Sequence, residues 1–572
     1  MVPGARVIEA GDSAVVCEIG GKPLSTPGVD VDVSARAIAL ASAVRQRAIA
    51  GVRDVVPTFR SVTVFFDPLG TDVSAVTAAL QEDVIATPPV TSDKTIDVPV
   101  VYGGDDGPDL ADVAAFAHCS PDTVIARHAA RTYRVCMLGF LPGFAYMASV
   151  DETIAAPRRA TPRVRVPAGS VGIAGMQTGI YPTESPGGWQ IIGRTAANLF
   201  DHDRTPPALL GPGDLVRFVR AEAVAALGSG RIETDSKPSV TGPYTTRCVT
   251  VLQSGLLTTV QDEGRWGHQH LGVSVAGPMD YVAHRLANAL VGNGQHAATL
   301  EATWLGPELR IEQDSRIAVT GADLQVTLDG ADISLGVPVR CLAGSVLRFG
   351  DRRGGVRAYV AFDGGVAVPR VLGSRATHLP SGLGGIGGRQ LKAGDRVPLG
   401  DPLSDVAPRA AGPAVAHRGA GRAVAAAEVA AQRVHSAGGA YLRVLPGPQA
   451  ADSGPSALEA LQRARYTVSP QSNRMGYRLA GGARIPGASR GDMLSESTFV
   501  GGVQLPPSGD PILLMADRQT SGGYPQIAVV ITADLPLAGQ LGPGDWVAFE
   551  TCSHADAMTA LRGVYEAMRA AG

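Results

Sequence analysis

The sequence carries two copies of one module, and this duplication constrains the fold more than any other feature. Tyr133-Arg134-Val135 opens a segment that closes on L-G-P-G-D-L-V-R-F at 210–218. Tyr466-Thr467-Val468 opens another that closes on L-G-P-G-D-W-V-A-F at 541–549. Between these ends, P-A-G-S at 167–170 leads into Q-T-G-I-Y-P at 177–182, and P-P-S-G at 506–509 leads into Q-T-S-G-G-Y-P at 519–525. Chance supplies one such match readily, but not four in the same order. A glycine-aspartate turn followed by an alternating strand suits the closing hairpin of a small barrel. Echoes of that hairpin at 341–349 and 391–395 predict a third barrel-like module. Duplicated modules are expected to face one another across a shared cleft, where a ligand sits.

The remainder reads as lobes joined by turn-rich segments. Residues 1–90 alternate strand and helix signals: strand-turn-strand over 6–19, an alanine-rich helix over 33–50, the strand S-V-T-V-F-F at 61–66 and a helix over 72–82. This predicts a small α+β lobe, ended by a joint at 86–94. Residues 95–226 turn β-rich, with one helical stretch over 109–131. A Gly/Ser/Thr/Pro linker spans 227–246, a barrel-like lobe 247–400, a second break 401–439 (partly helical over 424–433), and the second copy 440–560. The expected fold class is mainly β with α+β: duplicated β-barrel modules preceded by a small α+β N-terminal lobe.

Composition narrows the function classes. With 71 Gly and 41 Pro but only 5% aromatics, the chain favours short strands over long helices. A formal charge of −3 gives no basic footprint for nucleic acid. No run of 18 apolar residues occurs, and Glu9 and Asp12 stand where a signal peptide would be apolar, so a cytoplasmic protein without membrane contact is expected. The six cysteines are scattered and read as buried small hydrophobes in a reducing compartment. Four lysines stand against 46 arginines, so bound anions are expected to meet Arg forks and backbone N–H groups.

Several motifs fail on context. G-L-G-G-I-G at 382–387 fits the dinucleotide spacing but lacks a preceding strand and a following helix, leaving a glycine loop or an anion cradle between Arg375 and Arg389. G-A-S-R-G at 487–491 fits the nucleophile-elbow spacing without the strand and helix it requires, so it reads as a turn. No Walker loop and no H-E-x-x-H occur, and no metal site built from side chains is expected. What stands out instead is arginine bracketed by Gly, Ser, Asn or alternating valine. Arg163 and Arg165 emerge on one face of a strand, Arg194 follows Trp189, and Arg265, Asp280, Ser374, Arg375, Asn473 and Arg474 lie in glycine-rich surroundings. Tyr181 and Tyr524 belong to the repeated element. Gln177 and Gln519, with Arg163, Arg194 and Arg518, are expected to line the shared cleft, and Gln177, Arg194, Gln519 and Arg518 are the candidate catalytic set.

Longer motifs carry a family resemblance. M-L-G-F-L-P-G-F-A-Y-M at 137–147, T-P-R-V-R-V-P-A-G-S-V at 161–171 and Q-T-G-I-Y-P-T-E-S-P-G-G-W-Q-I-I-G-R at 177–194 resemble the B-type subunit of 5-oxoprolinase, also called Kip-type or allophanate hydrolase subunit 1. G-L-L-T-T-V-Q-D-E-G at 255–264, A-N-A-L-V-G-N at 287–293, S-N-R-M-G-Y at 472–477 and A-D-R-Q-T-S-G-G-Y-P at 516–525 resemble its C-type partner, a biotin-dependent carboxyltransferase-like protein. The chain is similar to a gene fusion of 5-oxoprolinase subunits B and C. Trp266 and the doubled acid Asp262-Glu263 depart from the usual pattern.

The resemblance implies cyclophilin-like barrels and a hydrolase that opens 5-oxo-L-proline to L-glutamate, using ATP with Mg²⁺ as co-substrate and inactive without a separate A-type subunit of 5-oxoprolinase. Phosphorylating the lactam oxygen would create an electrophile that water attacks, a step that calls for positioning and charge neutralisation more than a protein nucleophile. Two alternatives stand beside it. A carboxyltransferase component acting on urea or another amide would need a biotinyl lysine from another chain, because no lysine here has the Met-Lys-Met setting, and no covalently bound biotin is expected. A non-enzymatic histidine-kinase regulator is the other. Homo-oligomerisation stays open.

Overall fold

The computed structural model describes residues 5–20, 29–88, 94–222, 247–402, 438–486 and 493–571. The linker at 227–246, the helix expected over 424–433 and the G-A-S-R-G turn lie outside the described residues.

The N-terminal lobe is an antiparallel sheet in the order Arg6–Glu9, Ala14–Glu18, Ser61–Phe66, Val52–Pro57. The period of two sorts its faces. Val15, Cys17, Val62, Val64 and Phe66 pack on the helices Val31–Gln46 and Val73–Ala86. Ala14, Val16, Val56 and Phe65 pack on Phe499 and Val529 of the second barrel. Asp30 caps the first helix, its carboxylate accepting from the N–H groups of Asp32 and Val33 at 3.0 and 3.1 Å. The helical stretch expected over 109–131 is two helices, Leu110–Phe116 and Pro121–Ala129. Pro121 cannot continue a helix from behind, and Ser120 caps the new start by accepting from Thr123 N–H at 3.2 Å.

Two closed seven-stranded barrels follow, with one circular order. In the first, Thr95–Tyr102 runs parallel to Leu215–Arg220, followed by Thr132–Leu138, Ala145–Ala148, Gln177–Ile180, Ser170–Ala174 and Gln190–Arg194. The second reads Gly439–Pro446 parallel to Trp546–Thr551, then Arg465–Val468, Gly476–Ala480, Ile512–Leu514, Gly502–Gln504 and Gln526–Val530. Duplication is therefore real, and its terminal hairpins match as the sequence indicates.

The inner register differs from the expected one. Gln177 lies on a strand whose counterpart is Ile512–Leu514, so it is not the equivalent of Gln519. The counterpart of the short strand Ser185–Gly187 is Ser521–Gly522, which aligns S-P-G-G-W-Q at 185–190 with S-G-G-Y-P-Q at 521–526. Gly169 likewise answers to Gly501 rather than Gly509. Both have φ of +80°, and their N–H groups donate to Tyr181 and Leu514 carbonyls at 2.7 and 2.8 Å.

The lobe over 247–400 is not a third closed barrel. It has a six-stranded and a five-stranded sheet around one core that includes Val249, Leu300, Val319 and Val360. The helix Tyr281–Leu290 lies against the five-stranded sheet, which contains Ser315–Asp323 and Gly354–Phe362. A fully buried ion cluster joins this lobe to the second barrel: Arg474 pairs with Asp517 at 2.9 Å and with Glu301, and donates to Gly277 O at 2.6 Å.

Candidate active site

The two barrels face each other across a cleft of about 700 Å³. One wall begins with the turn between Thr132–Leu138 and Ala145–Ala148. Phe140 takes φ of +65° there, and Gly143 (φ +79°) packs so closely that an added Cβ would lie 2.8 Å from Phe200 Cβ and 3.0 Å from Leu199 O. The Phe140 N–H donates to Ser521 Oγ at 3.0 Å, which seats the turn against the other barrel. The same turn and the strands beside it present Phe144, Tyr146, Tyr181 and Trp189 as an edge-to-face cluster, with ring centroids 4.7, 5.2 and 5.5 Å from Phe144. Tyr146 hydrogen-bonds Ser495 and Ser521, and burial pushes its phenol and that of Tyr181 upward, so both stay neutral donors.

The facing wall comes from the second barrel and carries the polar side chains Gln471, Asn473, Arg478, Gln504, Gln519 and Tyr524 beside the apolar Met475, Ile512 and Leu514. Behind it, Glu496 sits buried at the joint with the N-terminal lobe. Its carboxylate accepts from Thr58 Oγ1 at 2.7 Å and from Ser61 Oγ, and burial pushes its pKa up to about 7.

Of the nominated residues, Tyr181, Asn473, Gln519 and Tyr524 line this cleft. The expected arginine lining by Arg163, Arg194 and Arg518 does not form, because each guanidinium is engaged elsewhere. Arg163 and Arg159 both bind the buried carboxylate of Asp109, at 2.6 and 2.7 Å. Arg194 Nε donates to Ala168 O at 2.9 Å, and Arg518 is sealed in the interior, donating to Gln269 Oε1 at 2.7 Å and Thr498 O at 3.1 Å. Gln177 sits at the start of its barrel strand, away from the cleft. Arg165 pairs with Glu184 at 2.5 Å on an exposed ribbon.

The remaining candidates lie outside the cleft lining. Arg265 is fully buried and donates to Val371 and Ala376 carbonyls at 2.8 Å each. Ser374 Oγ and Arg375 N–H hold Asp262 at 2.5 and 2.6 Å. Asp280 caps Tyr281–Leu290 through Ala283 N–H at 2.9 Å, and its burial raises it to about 6. Arg474 belongs to the buried cluster with Glu301 and Asp517. Sequence reasoning missed Arg158, Arg478, Gln504 and, apart from Tyr181, the aromatic wall as site residues. Arg158 and Arg478 lack glycine brackets, and the aromatic residues were visible only as parts of family motifs.

The described lining contains no carboxylate, so a Mg²⁺ bound here would be held by phosphate, water and the neutral oxygens of Ser, Thr, Asn and Gln side chains. Among the described residues the one His/Asp group with metal-ligand spacing, Asp201-His202-Asp203, is not part of the cleft.

The chain matches the family model "Carboxyltransferase domain, subdomain C and D" over residues 5–210, and "Carboxyltransferase domain, subdomain A and B" over 271–551. It is 37% identical to the C-type subunit of 5-oxoprolinase from Escherichia coli over 54% of this chain and 93% of that one. It is 39% identical to the B-type subunit of 5-oxoprolinase from Bacillus subtilis over 38% of this chain and 92% of that one. Urea amidolyase of Saccharomyces cerevisiae is 31% identical over 54% of this chain, but only 17% of its own length. The crystal structure of TTHA0988 superposes with a TM-score of 0.77 at 35% identity, covering 94% of this chain and all of that one. The C/D match falls on the N-terminal lobe and first barrel, the A/B match on most of the two-sheet lobe and the second barrel. No helix among the described residues is long and apolar enough to cross a membrane.

Proposed function

The chain belongs to the carboxyltransferase-domain family that includes 5-oxoprolinase subunits B and C, and from that premise we propose that it is the fused B–C component of an ATP-dependent 5-oxoprolinase. The observation that carries this reading is the inter-barrel cleft, closed on one side by an aromatic wall and on the other by carboxamides, within a chain that spans nearly the full length of both a B-type and a C-type subunit. A flat lactam ring packs against Trp189, Phe144 and Tyr146, and the amides of Gln504, Asn473 and Gln519 supply donors and acceptors for its N–H and C=O. ATP with Mg²⁺ is the co-substrate that activates the lactam oxygen. The residues of this chain bind and orient the ring and restrict water around it. The A-type subunit is the separate partner that completes the enzyme.

The match to urea amidolyase supports a second reading, carboxyl transfer to urea or a related amide. Reconstitution separates the two. The proposal expects glutamate from 5-oxoproline and ATP only when this chain and the A-type subunit are combined, with no need for bicarbonate and no inhibition by avidin. Bicarbonate-dependent ATP cleavage in the presence of urea would move the assignment to the carboxyltransferase.

A further inference from the structure

The charge in the cleft is one-sided. Three of its described lining residues are ionised, Arg158, Arg159 and Arg478, and none is acidic. Arg159 pairs at 2.7 Å with Asp109, a carboxylate that it shares with Arg163. Arg158, from the first barrel, and Arg478, from the second, make no ion pair with any described residue. Solvated surface arginines are common, but two features separate these. Arg158 lines the same volume as Tyr146, Tyr181 and Trp189, which places it beside the aromatic wall. Arg478 lies on Gly476–Ala480, paired in register with Ile512, another lining residue, so it opens onto the same volume from the opposite barrel. Two unneutralised guanidinia beside aromatic rings and carboxamides make a site that favours a ligand carrying negative charge over a neutral one of the same size.

We propose that Arg158 is the anchor for the carboxylate of a small cyclic amide acid, and that Arg478 across the cleft is the second cation that makes the site select anionic over neutral amides. This inference rests on the reading of the cleft given above. The planar guanidinium of Arg158 takes the carboxylate through its fork of N–H donors while the ring lies on the aromatic wall. Urea, being neutral, makes no use of either cation.

The test is steady-state glutamate formation by the complex with the A-type subunit and ATP, using Arg158→Ala, Arg158→Lys and Arg478→Ala. Arg158 is exposed and has no ion-pair partner among the described residues, so its removal leaves folding intact, which thermal melts check. Arg158→Ala is expected to raise KM for 5-oxoproline about tenfold or more with kcat little changed, the signature of lost ground-state binding. Arg158→Lys recovers part of that loss, and Arg478→Ala gives a smaller rise in KM. Inhibition by pyrrole-2-carboxylate weakens in parallel in Arg158→Ala. A KM within about twofold of wild type in both alanine variants overturns the anchor while leaving the 5-oxoprolinase reading intact. Absence of glutamate formation by the wild-type complex would instead remove the reading on which the anchor rests.

Discussion

Glu496 shows how one buried carboxyl ties the site to the rest of the molecule. It lies on the short strand Glu496–Ser497, paired with Ser521–Gly522 at the cleft, yet its side chain turns to Thr58 and Ser61 of the N-terminal lobe, within reach of the charges of Arg60 and Glu18. Burial raises its pKa from the ordinary 4.5 to about 7, so the folded protein holds this proton more tightly than the unfolded chain does. The stability it contributes is complete below pH 4.5 and is lost as pH rises through 7. Glu496→Gln, uncharged and nearly isosteric, is expected to lack that loss. Its stability relative to wild type should therefore grow between mildly acidic and mildly alkaline pH, approaching about 3 kcal/mol. Denaturant titrations at several pH values read this directly, and parallel profiles for the two proteins would show that Glu496 is ionised throughout. Asp280, raised by burial in the same direction, is common to both proteins and cancels in the comparison.

At the scale of elements, the glycine-aspartate hairpin recurs in both barrels but carries unequal loads. Asp214 accepts from Gly211 N–H at 2.9 Å and pairs at 3.2 Å with the exposed Lys94. Asp545 accepts from the buried Gly542 N–H at 2.9 Å and also pairs at 3.0 Å with Arg352 of the two-sheet lobe, whose guanidinium lies 4.5 Å from the Trp304 ring. Asp545→Ala is expected to cost about 2–3 kcal/mol and Asp214→Ala about 1 kcal/mol, because only the first leaves a buried donor and a half-buried cation unpaired. Equal losses in thermal melts would deny the difference. These hairpins were legible in the sequence because turn chemistry and alternation are local. The strand Ser61–Phe66 was legible for the same reason, whereas the duplicated barrels and the cleft between them were legible through the repeat. The inner register was not. Gln177 and Gln519 share a local Q-T pattern, but strand pairing across the barrel decides equivalence, and it sets Gln177 opposite Ala148 and Ala174. The site was only partly legible for a related reason. Arg163, Arg265, Arg474 and Arg518 look like ligand-binding arginines in sequence, whereas their carboxylate and carbonyl partners lie far along the chain.

Across the whole molecule, contacts between the two halves make the cleft a property of the fused chain. Asp12 accepts from the Thr532 N–H and hydroxyl at 2.8 and 2.6 Å, and Asp54 accepts from Gly267 and Gln269 N–H groups at 3.1 and 3.0 Å. The N-terminal lobe thus braces both the second barrel and the two-sheet lobe, while the first barrel meets the second through Phe140 and Ser521. Each half supplies one wall, the aromatic one from the B-like part and the amide one from the C-like part. The central claim is that the ring substrate is held between these walls. Gly188 offers a direct way to block it. It lines the cleft, its φ lies outside the left-handed region, and the nearest atoms to an added Cβ are those of Pro162, at 3.6–3.8 Å, an ordinary contact. The decisive measurement is glutamate formation by Gly188→Trp combined with the A-type subunit and ATP. The account expects a loss of about a hundredfold or more, close to ~3 kcal/mol in transition-state stabilisation, with melting temperature and association with the A-type subunit retained. Undiminished glutamate formation by this filled-cleft variant would contradict it and place the chemistry elsewhere on the molecule.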